Sequence, residues 1–449
     1  MRVAMIGTRG VPARYGGFET AIEEIGQRLV ARGHEVVVYC RGAEDPSQRT
    51  HLGMELVHLP AARRKTLETL SHTGLSVAHL VARDRVDAAI VFNAANAPFV
   101  PALRARGIPV AVHVDGLEWK RSKWKGAGRR YYRAVEAMAV RMADALIADA
   151  RGISDYYADE FGAQTELLAY GAPVQDEPGS TRVEEIGLRP HEYHLVVARF
   201  EPENHVLEIV EGYHRSDAEL PLVVVGSAPY ADGYTARVEA VAASDPRIRL
   251  LGGVWDQEQL DELYANALTY LHGHSVGGTN PSLLRAMGAG TSVIAFDVVF
   301  NREVIGVEGE YFHTADDVAE RVRKAELTAG EMLLKGWSLR ERARQRYRWD
   351  DVAAGYEELL QRLSNGFSTH GRFSGRRRPL DAQVSWARPV SGFDSGAEPR
   401  TQPPSAGVPA AGLGDVGGQG LSNLVRTPLD ERGGAEGRGH GPLPGELEV

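Results

Sequence analysis

The 449-residue sequence has one cysteine, Cys40, which excludes an intrachain disulfide framework and any metal site built on several thiolates. That usage suits a reducing compartment, and Cys40 itself reads as a core residue. Long apolar runs are missing as well. No stretch approaches the ~18 uninterrupted apolar residues of a membrane span, and the opening Met1-Arg2-Val3-Ala4-Met5-Ile6-Gly7 carries too short an apolar run for a secretory signal. The expectation is a cytoplasmic protein. An excess of positive charge is absent too. The 51 Lys and Arg stand against 60 Asp and Glu, a formal charge of -9, which argues against a nucleic-acid partner because phosphate affinity needs concentrated cations. The dinucleotide fingerprint is a further absence: the N-terminal glycines lack G-x-G-x-x-G spacing, and the second strand would end in Tyr39-Cys40-Arg41 rather than an acidic residue.

What is present is ordinary soluble composition, 43% hydrophobic and 25% charged, in a chain long enough for two domains and a remainder. Short β-branched runs alternate with amphipathic ones from the start. Val3 to Ile6 reads as a strand, and Phe18, Ile22, Ile25 and Leu29 fall on one helix face, with Thr20 to Glu23 at capping-box spacing and Gly33 as a stop. Further strands are expected at Glu35 to Tyr39, Glu55 to Leu59, Asp87 to Phe92, Ile108 to Val114, Ala143 to Ala148 and Glu166 to Tyr170. A polar stretch from Gly171 to Glu192 marks a boundary. A second series follows at Tyr193 to Ala198, Pro221 to Gly226, Arg247 to Leu251, Leu268 to Leu271 and Thr291 to Phe296. The expected fold is α/β, two doubly wound Rossmann-like domains over residues 1–172 and 173–345, facing across a cleft. A helix over 346–364 would pack across both domains, and the Gly-, Pro- and Ser-rich segment 365–449 reads as a disordered tail.

The chemistry is expected where strands end on that cleft. Gly7-Thr8-Arg9-Gly10 and Tyr15-Gly16-Gly17-Phe18-Glu19-Thr20 let a sugar or anion approach a helix N-terminus, unless the glycines serve only a turn. His113-Val114-Asp115-Gly116-Leu117-Glu118-Trp119-Lys120-Arg121 places a histidine and two carboxylates at a strand end; Asp115 and Glu118 could orient acceptor hydroxyls, or be structural. Lys120, Arg121, Lys123, Lys125, Arg129, Arg130 and Arg133 surround Trp119, Trp124, Tyr131 and Tyr132, a mix that suits an anionic acceptor such as a polyprenyl diphosphate or a membrane headgroup layer, or is simply a solvated face. In the second half, Arg199 could neutralise a diphosphate or pair with a structural carboxylate. His272-Gly273-His274-Ser275-Val276-Gly277-Gly278-Thr279-Asn280-Pro281 is a glycine-rich loop opening a helix, whose amides could hold a diphosphate or sugar. His272 and His274 alternate faces and lack a third ligand, so no metal is expected.

These blocks in this order resemble glycosyltransferase family 4, in particular its bacterial rhamnosyltransferase-like branch, over residues 1 to about 364. The resemblance implies a GT-B fold and metal-independent transfer with retention, without a cofactor, from a nucleotide-diphosphate sugar held mainly by the second domain. It implies donor contacts at Gly16, Gly17, Arg199, Asn204, His274, Gly277, Gly278, Thr279, Asn280 and Arg285, catalytic roles for Arg199, Asp115, Glu118 and His113, and acceptor-side roles for Glu19, Trp119, Lys120 and Arg121. The sequence departs from the family at three of these positions. Asn204 stands where a lysine is usual, and Gly277 and Arg285 stand where the family has two glutamates, the second holding ribose hydroxyls. Fewer hydroxyls to satisfy points toward a deoxyribose donor such as dTDP-rhamnose, with Arg285 turned to phosphate. The expected function is hexosyl transfer, rhamnosyl in particular, to a glycan or polyprenyl-diphosphate-linked acceptor in cell-surface polysaccharide synthesis, with peripheral contact at the inner membrane face. The alternative is a noncatalytic sugar-nucleotide-binding or assembly protein of such a pathway.

Overall fold

The structure is a computed structural model and describes residues 1–13, 16–42, 47–62, 67–83, 85–114, 116–121, 126–226 and 232–370. Its first sheet is built from β1 (Arg2–Ile6), β2 (Glu35–Cys40), β3 (Thr50–His51), β4 (Met54–His58), β5 (Ala88–Phe92), β6 (Val110–Val114), β7 (Ala145–Ala148) and β8 (Glu166–Leu167). Their order is β3-β4-β2-β1-β5-β6-β7-β8, parallel throughout except where β3 meets β4. The second sheet comprises β9 (His194–Val197), β10 (Leu222–Val225), β11 (Ile248–Gly252), β12 (Thr269–His272), β13 (Ser292–Phe296) and β14 (Glu310–Phe312), in the order β11-β10-β9-β12-β13-β14, all parallel. Helices cover both faces. The inner strands β5 and β6 are therefore buried along their whole length, as near-continuous Ala, Val and Ile runs require.

In each sheet the strand order reverses once, between β1 and β5 and between β9 and β12. A doubly wound sheet leaves a crevice at such a point, outside the carboxyl ends of the strands. The segments leaving those ends are Gly7 to Gly10, Asn93, Arg199 and Gly273 to His274. The topology thus delivers the glycine loops and Arg199 to the two crevices.

The last helix, Trp349–Ser364, follows the second sheet in the chain but returns to the first. Its apolar face, with Val352, Tyr356, Leu359 and Leu363 buried, carries the packing. Arg362 makes two hydrogen bonds to Glu166 at 3.0 and 2.9 Å, and Glu357 receives Arg32 and His34 at 3.0 and 2.8 Å. Such half-exposed pairs fix register more than they stabilise, at ~1 kcal/mol or less each. No helix among the described residues is long and apolar enough to cross a membrane.

Several local expectations are corrected. The helix Gly17–Ala31 starts three residues ahead of the supposed capping box, behind Gly16 at φ 101 and ψ 159. Thr20 lies inside its first turn, with its hydroxyl bonded back to the Gly16 carbonyl at 3.3 Å, while Glu23 accepts from the Ala13 amide and pairs with His51, both at 2.8 Å. β8 has two residues where five were expected, and the edge strands β3 and β14 were not foreseen; runs of two or three residues carry no readable period. The polar boundary segment contains a short helix, Thr181–Glu185. The segment expected to be a disordered tail lies outside the described residues from 371 onward, and residues 365–370 are folded back, with the Thr369 amide bonded to the Asp144 carbonyl at 2.8 Å.

Candidate functional site

The two glycine loops meet. A Cβ built on Gly17 would stand 2.9 Å from Pro281 Cγ, and one on Gly116 would stand 3.0 Å from Gly277 Cα. Only residues without side chains allow the helices Gly17–Ala31 and Pro281–Ala289 to point their N-termini into one seam. At that seam Gly277 has φ 134, and the Asn280 side chain caps the second helix by accepting from the Ser282 amide at 2.9 Å. Asn280, expected to contact donor, is thus spent in part on its own helix.

His274 is the centre of the second-domain half. Its Nδ1 lies 2.7 Å from Asn204 Oδ1, and Asn204 Nδ2 donates to the Arg199 carbonyl at 2.8 Å. Because the amide nitrogen is committed to that carbonyl, Oδ1 is the acceptor, and Nδ1 of His274 carries the proton. Burial holds the imidazole well below its usual range, helped by the positive charges of Arg121 from the first half and Arg199 from the second. The Val276 main chain also meets the ring, and Nε2 lies beside Gly277, whose Cβ position would be 3.0 Å away. Asn301 fixes the backbone by donating to the His274 carbonyl at 3.0 Å. The residue standing in the usual lysine position therefore supplies no charge; Asn204 is buried and braces Arg199 and His274. Arg199 is 44% exposed along its side chain, with Glu201 at 3.5 Å, so its guanidinium can still turn to a ligand.

The first-domain half is more mixed. Glu118 is buried and pairs with Arg121 at 2.6 Å. Trp119 donates to the Tyr156 hydroxyl at 3.2 Å, which donates to Glu136 at 2.9 Å, and its ring lies 4.8, 5.2 and 5.5 Å from Arg129, Arg133 and Lys120. Burial pushes the Glu136 carboxyl up to about 7. Glu19 folds over the start of its own helix and accepts from the Arg9 amide at 3.0 Å; burial raises its carboxyl also. Asp115, Tyr15, Lys123, Trp124 and Lys125 lie outside the described residues.

Two expected residues are engaged by the protein itself. His113 is wholly enclosed, stacked at 5.5 Å on Phe92 and 6.0 Å on Tyr170, with both ring nitrogens unpartnered; burial pushes it down to about 3, so it is a neutral ring in an aromatic stack rather than an exposed proton carrier. Arg285 is ion-paired with Asp261 at 3.0 Å on the neighbouring helix and lies 6.0 Å over Tyr264, which takes up the charge expected to meet phosphate. His272 is buried beside Tyr270, and the described residues hold no cluster of three or more His, Cys, Asp or Glu arranged for a metal.

The seam also contains carboxylates that sequence reasoning missed. Asp149 directly follows β7 and lies against Gly278, and Glu303 reaches across to the amide of Arg151. The signal for Asp149 was the one that singled out Asp115, an acid just past a strand's carboxyl end. Glu303 lies on a seven-residue helix with no such signal.

Residues 16–171 match the family model of the glycosyl transferase 4-like domain, and residues 185–346 match that of glycosyl transferases group 1. No curated protein sequence matches the chain. Among solved structures it is similar to sucrose-phosphate synthase from Thermosynechococcus elongatus, with TM-score 0.71 and 20% identity over 81% of this chain and 98% of that one. It is also similar to Anabaena HepE, solved in complex with UDP-glucose (TM-score 0.66, 15% identity, 80% and 99% covered). A third is the UDP-forming trehalose-phosphate synthase of Burkholderia xenovorans, in complex with glucose-6-phosphate (TM-score 0.65, 12% identity, 80% and 100% covered). At these identities the structures speak for the fold, two parallel-sheet domains of GT-B type. With one domain model matched in each half, in order and around the seam just described, the chain is a glycosyltransferase of the GT-B type.

Proposed function

We propose that this glycosyltransferase moves a hexosyl group, rhamnosyl in particular, from a nucleoside-diphosphate sugar to a glycan or polyprenyl-diphosphate-linked acceptor, with retention and without a metal or cofactor. The observation that carries the reading is the convergence of Arg199, Arg121 and the glycine loop 277–280 on His274 at the N-terminus of the Pro281–Ala289 helix. Two guanidiniums, loop amides and a helix N-terminus suit a departing diphosphate. HepE, of the same fold, binds UDP-glucose. In the proposed reaction Arg199 and the amides of 277–280 stabilise the leaving group, Gly16 and Gly17 admit it closely, and the His274 ring hydrogen-bonds a donor hydroxyl. A donor phosphate oxygen takes the proton of the attacking acceptor hydroxyl.

Gly277 and Arg285 leave no carboxylate at either family glutamate position, and at the second, which would meet ribose, Arg285 is committed to Asp261; this favours a dTDP-sugar. The Trp119 indole with Lys120, Arg129 and Arg133 around it supports an anionic, lipid-linked acceptor presented at a cytoplasmic membrane face, as cell-surface polysaccharide synthesis would require. A nucleotide-release assay offering dTDP-rhamnose, UDP-glucose, UDP-N-acetylglucosamine and GDP-mannose with lipid-linked acceptors tests this. Release from dTDP-rhamnose is expected; turnover of UDP- or GDP-sugars alone refutes the donor, and binding without turnover favours the noncatalytic alternative.

A further inference from the structure

Beside the glycine loop, two carboxylates bind the halves of the molecule together. Asp149 follows β7 and is 3% exposed. Gly278 lies so close that a Cβ there would overlap the Asp149 carboxylate, and the Thr279 hydroxyl donates to the Asp149 carbonyl at 2.6 Å. The Asp149 side chain also lies beside the Tyr170 hydroxyl and the Thr279 main chain, while its Oδ1, pressed against Gly278, has no hydrogen-bond partner among the described residues. Two residues on, the grip reverses direction. Glu303, from the helix Val299–Ile305, accepts from the Arg151 amide at 2.9 Å on each oxygen and from Gly152 at 3.4 Å, placing a carboxylate on the N-terminus of the helix Arg151–Phe161. Gly152 packs on Phe300 of the same helix, where a Cβ would stand 2.7 Å from Cε1. Residues 149–152 are thus held from the second half at 278–279 and at 300–303.

We propose that Asp149 is a positioning residue for the transfer described above, holding the loop 277–280 in its working place with Glu303 as the opposing half of the clasp. The inference rests on that reading of the loop. A segment with Gly277 at φ 134 followed by Gly278 has little stiffness of its own, and fixing each such residue costs ~1–2 kcal/mol. Amides stabilise a leaving diphosphate only if they are already in place, and a misplacement of ~1 Å can cost on the order of a hundredfold in rate. The segment at Asp149 supplies the missing stiffness, its carboxylate packed on Gly278 and its main-chain carbonyl bonded by the Thr279 hydroxyl. The two clasp carboxylates also feel one another, which adds to the burial that pushes Asp149 up to about 7.

The test uses the full chain with spin labels at Leu75→Cys and Leu334→Cys, both exposed, while the native Cys40 is buried and stays unlabelled. Interdomain distances and nucleotide release are measured for the parent, Asp149→Ala, Asp149→Asn and Glu303→Ala. The clasp predicts added longer distances in Asp149→Ala and Glu303→Ala, and a kcat loss on the order of tenfold or more for Asp149→Ala. Asp149→Asn, which keeps the side-chain shape against Gly278 and leaves the main-chain acceptor of Thr279 untouched, should stay near the parent in both. Unchanged distances and turnover in Asp149→Ala overturn the proposal, as does an Asn variant as damaged as Ala, which would assign the effect to charge. If Asp149→Ala does not fold, Asp149→Ser takes its place, and unchanged distances and turnover in it overturn the proposal. A parent that releases nucleotide from no donor sinks the transfer reading, while the distances still decide the clasp.

Discussion

The helices beginning at Gly17 and Pro281 aim their N-termini at the same seam, yet they are finished in opposite ways. The first starts behind Gly16 with no capping side chain, and its positive end is answered by its own Glu19, which folds back so far that a Cβ on Gly16 would be 2.7 Å from its carboxylate. The second is capped by Asn280, has no acidic residue in its first turn, and keeps its positive field beside Arg199 and Arg121. An anion therefore belongs at the second helix. The first, its positive end already answered by Glu19, admits the leaving group closely but adds less to its attraction.

The largest break in this comparison is Arg199→Ala. It should lower turnover on the order of 100- to 1,000-fold, as loss of one leaving-group stabiliser does, with circular dichroism unchanged. Gly16→Ala forces a side chain into φ 101, ψ 159, so a destabilisation of ~1–3 kcal/mol is expected, read as a lower midpoint in urea. Asn280→Ala removes the cap that Gly16 never supplied and should cost ~1 kcal/mol, with weaker donor binding besides. Glu19→Gln sharpens the contrast: freeing the positive end of the first helix should change diphosphate affinity by no more than ~1 kcal/mol, measured by calorimetry.

The pH response reports on the clasp beside the second helix. The Asp149 carboxyl is raised from 3.8 to about 7 in the folded protein, so folding favours its protonated form. Its ionisation costs nothing below about pH 4, costs progressively more as pH rises toward about 7, and is constant above. Asp149→Asn should accordingly gain in Tm relative to the parent between those limits, with a flat difference beyond. A difference independent of pH would mean that Asp149 is ionised and satisfied in the fold.

Much of this architecture was legible because parallel strands buried on both faces are written as short β-branched runs; β5, β6 and β10 stand at the expected places. The glycine loops were legible for a steric reason, since only residues without side chains fit where Gly17 meets Pro281 and Gly116 meets Gly277. Sequence spacing could not show that His113 would be enclosed by Phe92 and Tyr170, because that stack joins β5, β6 and the segment after β8. Nor could it show that Asp261 would claim Arg285, or that Asp149 would meet Thr279 from 130 residues away. Thr20 to Glu23 misled because a capping-box pattern is local, whereas the helix start is set by where Gly16 can pass the seam.

The central claim is that the seam between the two helix N-termini holds a nucleoside diphosphate, bound chiefly by the second. Amide hydrogen exchange with and without UDP or dTDP tests this most directly. The account predicts that diphosphate slows exchange at residues 277–283, with a smaller effect at 16–20. No protection at 277–283, or protection confined to the first-domain loop, would contradict it.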